Sequence, residues 1–421
     1  MHKVLFGNQS LPDRNLVAPS HWQRPPSFRL ISRDTLPSHP LGIALRKKPF
    51  NYIKLFKGKK ASPATVTMAI SHPSPVAQFA GWLTAFALGA YLFYILFSFA
   101  RAYADLSLMS KRRRVPGDAF RQKVVWIVGA SQGLGEELAL YFAKSGAKLI
   151  LSSRSRDKLD AVKQRCLAEN NQIIDPEQII LLPLDLTGGA EDLETAVSAA
   201  YDAFNASGVD YVIHNAGASQ QAAAEETTAD VATALVNLNL LGPMLLAQAT
   251  LPRMIKRGCG HHVVVASMSA VVPSPGQAIY AATKSGLKAY FESVAAELGG
   301  NKNGPVKVTV CCPGPIQTGS ESSPRMVYGP RGLVQKHSTT GTGLSSKRLP
   351  ATLVAELIGA ATWHDMNEAW MAFHPVLLIG YLSQYIPPLA KAILAKIGPG
   401  RVKQFKDGSG SGYDVMSMLG K

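Results

Sequence analysis

Cysteine is nearly absent: Cys166, Cys259, Cys311 and Cys312 are the only four in 421 residues. No two are spaced as CxxC and none joins histidine in a ligand cluster, which argues against a disulfide framework and a zinc site. Cys311 and Cys312 lie in an apolar, strand-like run and read as small hydrophobes. His261-His262 looks like a metal pair, but neighbours on a strand point to opposite faces. Charged residues make up only 17% against 47% hydrophobic, the balance of a folded chain rather than a disordered one. Acidic residues are missing above all at the start. Residues 1–60 hold twelve Lys or Arg against Asp13 and Asp34 alone, so ten of the sixteen net positive charges belong to this leader. Most of the rest comes from Lys111-Arg112-Arg113-Arg114. No basic stripe with interleaved aromatics appears elsewhere, and a nucleic-acid partner is set aside.

Residues 1–70 are rich in Arg, Lys, Ser and Pro without sustained periodicity. They resemble an organellar transit peptide; a disordered basic tail, or sequence upstream of the true start, is the alternative. Residues 76–100 then run for 25 positions without a charged side chain, which predicts a membrane-spanning helix. A cleaved signal peptide is the rival, favoured if translation begins at Met68. Arg101 and the 111–114 cluster follow the span while 61–76 carries no Lys or Arg, so the positive-inside rule favours a cytosolic catalytic domain; Lys54 to Lys60 blur that reading.

From residue 121 the pattern alternates. Strands are expected at 124–128, 147–152, 179–184, 211–214, 263–266 and 306–311, with helical stretches between them, including 136–145. Such alternation predicts an α/β fold, a Rossmann-like doubly wound parallel sheet. The Gly/Ser-rich, basic stretch 320–347 reads as a mobile loop and 351–362 as a helix. A second apolar stretch, 375–397, is interrupted by Pro387-Pro388 and carries Lys391 and Lys396. It reads as a core-packing or membrane-surface helix rather than a second span.

The first strand runs into Gly129-Ala130-Ser131-Gln132-Gly133-Leu134-Gly135, which opens a helix. Glycines permit the sharp turn and the close approach of a pyrophosphate, whose charge the helix N-terminus favours. The second strand ends in Ser153-Arg154-Ser155, where an NAD enzyme would place an acid for the ribose 2′-hydroxyl. Arg154 suits a 2′-phosphate instead, so NADP(H) is the expected cofactor; a solvated surface charge is the bland alternative. Asp185-Leu186 after the third strand and Asn215-Ala216-Gly217 after the fourth lie where adenine and ribose should pass.

Tyr280 and Lys284 are four apart and share a helix face. An ammonium beside a phenol, ordinarily of pKa about 10, lowers it toward a working acid–base value. Ser267 ends the fifth strand, where its hydroxyl can donate to a carbonyl; Ser269 competes for that role. In order and spacing, Gly129 to Gly135, Asn215-Ala216-Gly217, Asn239, Ser267, Tyr280, Lys284 and Pro313-Gly314 resemble the short-chain dehydrogenases/reductases over roughly residues 121–400.

The resemblance implies that Tyr280 is the general acid in reduction and the base in oxidation. Lys284 would lower its pKa and bind the nicotinamide ribose, and Ser267, thirteen residues before Tyr280, would polarise the carbonyl. Asn239 would hold a water linking Lys284 to solvent, and Pro313, Gly314, Ile316 and Thr318 would border the nicotinamide amide. Two positions depart from the family pattern. Val128 replaces a Thr that normally ties neighbouring strands, and His214 replaces the first Asn of Asn-Asn-Ala-Gly, so a slightly looser cofactor geometry is expected.

The domain order expected is a leader (1–70), an anchor (76–100), a Rossmann domain (116–350) and a C-terminal extension on the substrate side (351–421). The function expected is NADP(H)-dependent interconversion of a hydrophobic carbonyl compound, of retinoid, steroid or lipid type, and its alcohol. The alternatives are a 3-ketosphinganine-type ketone reductase and a non-catalytic nucleotide-binding scaffold. Attachment to the endoplasmic reticulum is expected, or to a plastid or mitochondrion if the leader directs import. A homodimer through the Rossmann helices is the expected assembly.

Overall fold

The anchor segment is a helix, α1 (Pro75–Ala100). Ser74 caps its first turn by accepting from the Ala77 amide at 3.3 Å, and Pro75 needs no partner there. At about 1.5 Å per residue its 26 residues are long enough for the hydrocarbon core of a bilayer. Its side chains stand exposed, Phe79 at 70% and Trp82 at 77%. The computed structural model describes residues 74–169, 175–318, 325–336 and 348–407. The leader 1–70, most of the stretch 320–347 and the chain after 407 lie outside the described residues.

After α2 (Leu106–Arg112) the chain alternates β1 (Val124–Val128), α3 (Leu134–Lys144), β2 (Lys148–Ser152), α4 (Arg156–Glu169), β3 (Ile179–Leu181), α5 (Ala190–Ala206), β4 (Tyr211–His214) and β5 (Ser219–Gln220). It continues with α6 (Ala229–Val236), α7 (Gly242–Arg257), β6 (His261–Val265), α8 (Ala278–Glu297), α9 (Gly300–Asn303), β7 (Lys307–Pro313) and β8 (Ile316–Gln317). The last elements are β9 (Arg325–Tyr328), β10 (Leu333–Lys336), β11 (Leu349–Pro350), α10 (Ala351–Trp363), β12 (Glu368–Met371), α11 (Val376–Tyr385) and α12 (Pro387–Asp407).

Seven strands form one sheet in the order β12-β7-β6-β4-β1-β2-β3, every neighbouring pair parallel. The doubly wound α/β fold is therefore as expected. All of β1 is buried, as in a strand covered on both faces. Val125 and Ile127 join the core shared with α3, α4 and α10, while Val124, Trp126 and Val128 face α5 and α7. Between β1 and β4 the winding reverses, and the crevice beyond the strands' carboxyl ends is where such sheets bind ligands.

Three expectations change. The seventh strand, β12, was not anticipated: its Glu-Ala-Trp-Met sequence is too short and mixed to announce itself, and pairing with β7 makes it a strand. The described part of 320–347 is a hairpin, β9 against β10, closed where the Gly329 amide donates to Gly332 O at 2.8 Å. Gly329 and Gly332 form its turn, and β9 also pairs with β5. The apolar stretch 375–397 falls in two helices, α11 and α12, with Ile386 between them.

Candidate active site

A cleft of about 420 Å³ opens at the winding reversal, within the range of small-molecule sites. One end is walled by the glycine loop. A Cβ on Gly135 would lie 1.9 Å from Gly129 O, so only glycine lets the helix start this close to the preceding turn, where Gly129 itself holds φ +89°. Asn215 ties that turn in place, its Nδ2 donating to Gly129 O at 2.8 Å while its amide donates to Val128 O at 3.1 Å. The same turn is held from the other side by Ser152 O, which accepts from the Gly129 amide at 2.7 Å. Val128 packs in the core, 2% exposed. This cradle of amides at a helix start fits a pyrophosphate.

Ser131, Gln132, Gly133, Leu134, Arg154, Asp185, Leu186, Ala216 and Gly217 line the same end. Arg154 is exposed at the rim. The Asp185 carboxyl is held below its ordinary value, first by the Thr187 amide, with Arg154 contributing. Ser155 departs from expectation: it is absent from the cleft wall, and its hydroxyl accepts from the Lys158 amide at 3.4 Å, at the start of α4. Gly135 lies beneath the loop rather than in the wall.

Ser267, Tyr280 and Lys284 line the same cleft. Ser267 caps a short turn, its Oγ accepting from the Ser269 amide at 3.1 Å, which leaves its own proton free to donate. Ser269 also faces the cleft, but its hydroxyl lies 3.3 Å from that of Ser274. Tyr280 and Lys284 sit on the first turns of α8. That helix start is capped from a distance: Gln220 Oε1 accepts from the Ile279 and Tyr280 amides at 3.0 and 3.1 Å. Lys284 is 4% exposed, donates to Val265 O at 2.9 Å, and is pushed down to about 8 by burial.

Asn239 lies behind the wall, fully buried in a widened helical turn over Asn237–Leu241. Its Oδ1 accepts from the Ala218 amide at 2.8 Å and its Nδ2 donates to Thr283 Oγ1 at 3.2 Å. Gly217 keeps this region narrow, since a Cβ there would stand 3.0 Å from Asn239 Oδ1 and 3.4 Å from Lys284 Nζ. Such widened turns recur at functional sites. Pro313, Gly314, Ile316 and Thr318 border the cleft beside this centre.

The histidines are occupied elsewhere. His261 Nε2 is 2.8 Å from Thr309 Oγ1, and His262 Nδ1 is 3.0 Å from His214 Nε2, with the Phe291 ring packed at a tilt against both. Burial holds all three well below the usual imidazole value, so His214 fills its unusual place as a neutral core residue. Among the described residues no three metal-ligating side chains cluster. All four cysteines are free, and Cys311 and Cys312 are fully buried.

Sequence reasoning missed the far end of the cleft. Phe373, Val376, Ile379, Leu394, Ile397 and Arg401 wall it, from the β12–α11 connection, α11 and α12. The i, i+3, i+7 spacing of Leu394, Ile397 and Arg401 marks one helix face, but spacing alone does not say what that face meets. Gln220 was missed too, because a cap from a distant strand has no local signature.

Residues 123–326 match the family described as short chain dehydrogenase. The chain is similar to Dehydrogenase/reductase SDR family member 7 of Homo sapiens, 33% identical over 78% of this chain and 93% of that protein. It is equally similar to the Mus musculus protein of that name, 33% identical over 74% and 89%. Its fold is that of a short chain dehydrogenase/reductase from Burkholderia phymatum solved in complex with NAD, at 22% identity and TM-score 0.52, covering 64% of this chain and 96% of the other. With so much of a curated relative's length matched at this identity, the chain belongs to the short-chain dehydrogenase/reductase family of oxidoreductases.

Proposed function

We propose that this protein is a membrane-anchored, NADP(H)-dependent reductase of hydrophobic carbonyl compounds of retinoid, steroid or lipid type. The meeting of Ser267, Tyr280 and Lys284 in one cleft with the glycine cradle carries the reading. The nicotinamide, when bound, supplies or accepts the hydride. Ser267 keeps its proton and donates a hydrogen bond through its hydroxyl to the substrate oxygen, which polarises the carbonyl. Tyr280 then gives that oxygen a proton. The Lys284 ammonium eases the loss by favouring the phenolate, and it has two further N–H donors beyond Val265 O for a ribose. Asn239 and the Ala218 backbone it clamps support a water path from Lys284 to solvent. Arg154 at the rim favours a 2′-phosphate, and Ser153 rather than an acid follows β2 beside it.

The exposed apolar α1 supports attachment to a membrane, with the endoplasmic reticulum as its site. Exposed Val236, Leu241 and Ile255 on the 229–257 run favour a homodimer through these helices. The domain reading keeps α1 as anchor, 116–350 as catalytic core and 351–421 as the segment completing the substrate side. The test is purified full-length protein in vesicles with NADPH and a panel of apolar aldehydes and ketones. Oxidation of NADPH with at least one is expected. NADPH binding without turnover on any of them would instead indicate a nucleotide-binding scaffold.

A further inference from the structure

The last turn of α1 is fastened to the substrate end of the catalytic fold. Phe99 packs on His374 and Tyr381, with ring centroids 4.9 and 5.4 Å apart, and Phe99 O lies 2.8 Å from His374 Nε2. A few residues on, Asp105 accepts from the Trp370 amide at 2.7 Å and from the Tyr381 hydroxyl at 2.6 Å. The end of the apolar helix is therefore held against α11.

Beyond that joint the chain turns outward an apolar corner. Residues 384–389, Gln-Tyr-Ile-Pro-Pro-Leu, are all exposed; Tyr385 is 80%, Ile386 49% and Leu389 47% exposed. Leu378, one face of α11, is also exposed at 42%. No acidic residue occurs from 373 to 406, whereas Lys391, Lys396 and Lys403 are exposed on α12. The opposite faces of the same two helices, through Val376, Ile379, Leu394 and Ile397, wall the cleft.

We infer that the α11–α12 corner dips into the surface of the bilayer that α1 crosses, and that apolar substrates reach the cleft from the lipid between these two helices. The proposal rests on the reading of α1 as a membrane anchor. Three features select a lipid surface as the occupant: continuity with α1, exposed apolar and aromatic tips, and cations without acids, which suit anionic headgroups. An amphipathic helix pair with one face on lipid and one on the cleft gives an apolar molecule a path that avoids water.

The test labels single cysteines with a polarity-sensitive dye in full-length protein carrying Cys259→Ser, reconstituted in phosphatidylcholine/phosphatidylserine vesicles. Ile386→Cys and, separately, Leu389→Cys report the corner, Leu88→Cys the anchor, and Asp160→Cys on α4 the aqueous background. Quenching by a lipid spin-labelled near the headgroup is expected at 386 and 389, absent at 160, and increased by phosphatidylserine. Quenching at 88 alone overturns the docking while leaving the anchor intact. Shielding of 386 from aqueous iodide without quenching by the lipid label would mean protein contact, a second copy included, and also overturns it. For the route, Ile386→Asp should raise the apparent KM of a bilayer-dissolved carbonyl and leave that of a water-soluble one unchanged. An equal effect on both, or none, overturns the route; the label readings do not depend on turnover.

Discussion

The two ends of the cleft are built from different materials. At the glycine loop the wall is backbone: the gap between Gly135 and Gly129 O admits no Cβ, and Asn215 clamps the turn. At the α11–α12 end the wall is side chains, with Val376, Ile379, Leu394 and Ile397 offering area rather than hydrogen bonds. Under the proposed function, a backbone cradle would recognise what is common to every turnover, the cofactor's phosphates. An apolar side-chain wall sets size and shape, and it can change residue by residue without disturbing the chemistry between the two ends.

The largest expected effect lies where the ends meet. Tyr280→Phe should lower turnover by about 10²–10⁴-fold with NADPH affinity retained, read by steady-state rates beside cofactor titration. Loss of binding together with turnover would show that the two functions are not separable. At the cofactor end, Gly135→Ala should shift the loop at a cost of about 1–3 kcal/mol and weaken cofactor binding, measured by calorimetry. Arg154→Ser should cut the preference for NADPH over NADH by roughly ten- to a hundredfold, the worth of charged hydrogen bonds to one phosphate. An unchanged preference would return Arg154 to the role of a surface charge.

The pH profile probes the centre. Lys284 is pushed down to about 8 by burial, so its charge, and with it the help given to Tyr280, is lost as pH rises through about 8. Reduction should therefore slow above pH 8. The unfolded lysine binds more protons than the folded one between about 8 and its ordinary value, so the same group makes stability rise with pH across that window. Melting curves recorded beside the rates separate a lost charge from unfolding. The smallest effect is expected at the apolar end: Ile379→Ala should change KM severalfold among carbonyls of different bulk and leave cofactor affinity untouched.

The glycine-loop end of the cleft was legible from residues because its pattern is local. The glycine loop, Asn215 and the Tyr280–Lys284 pair occupy fixed places on a strand-turn-helix or on one helix, and the cleft gathers them. Ser155 misled because a serine after a strand serves equally well to start the next helix, as its bond to Lys158 does. The hairpin of β9 and β10 read as a loop because turn glycines outweighed two short, mixed strands. Gln220 and β12 gave no local signal at all: one acts on amides about sixty residues away, and the other becomes a strand by pairing with β7.

By itself the sequence determined the winding of the sheet, the glycine loop, the shared helix face of Tyr280 and Lys284 and the apolar helix α1, since each follows from periodicity or from residues fixed a few positions apart. Tertiary structure alone decided how Asn215 clamps the Gly129 turn and how Gln220 caps α8. It also decided that one face of α11 and α12 lines the cleft while the other stays exposed beside the end of α1. Amphipathic spacing tells which residues share a side, but only the packing of distant segments tells what that side faces.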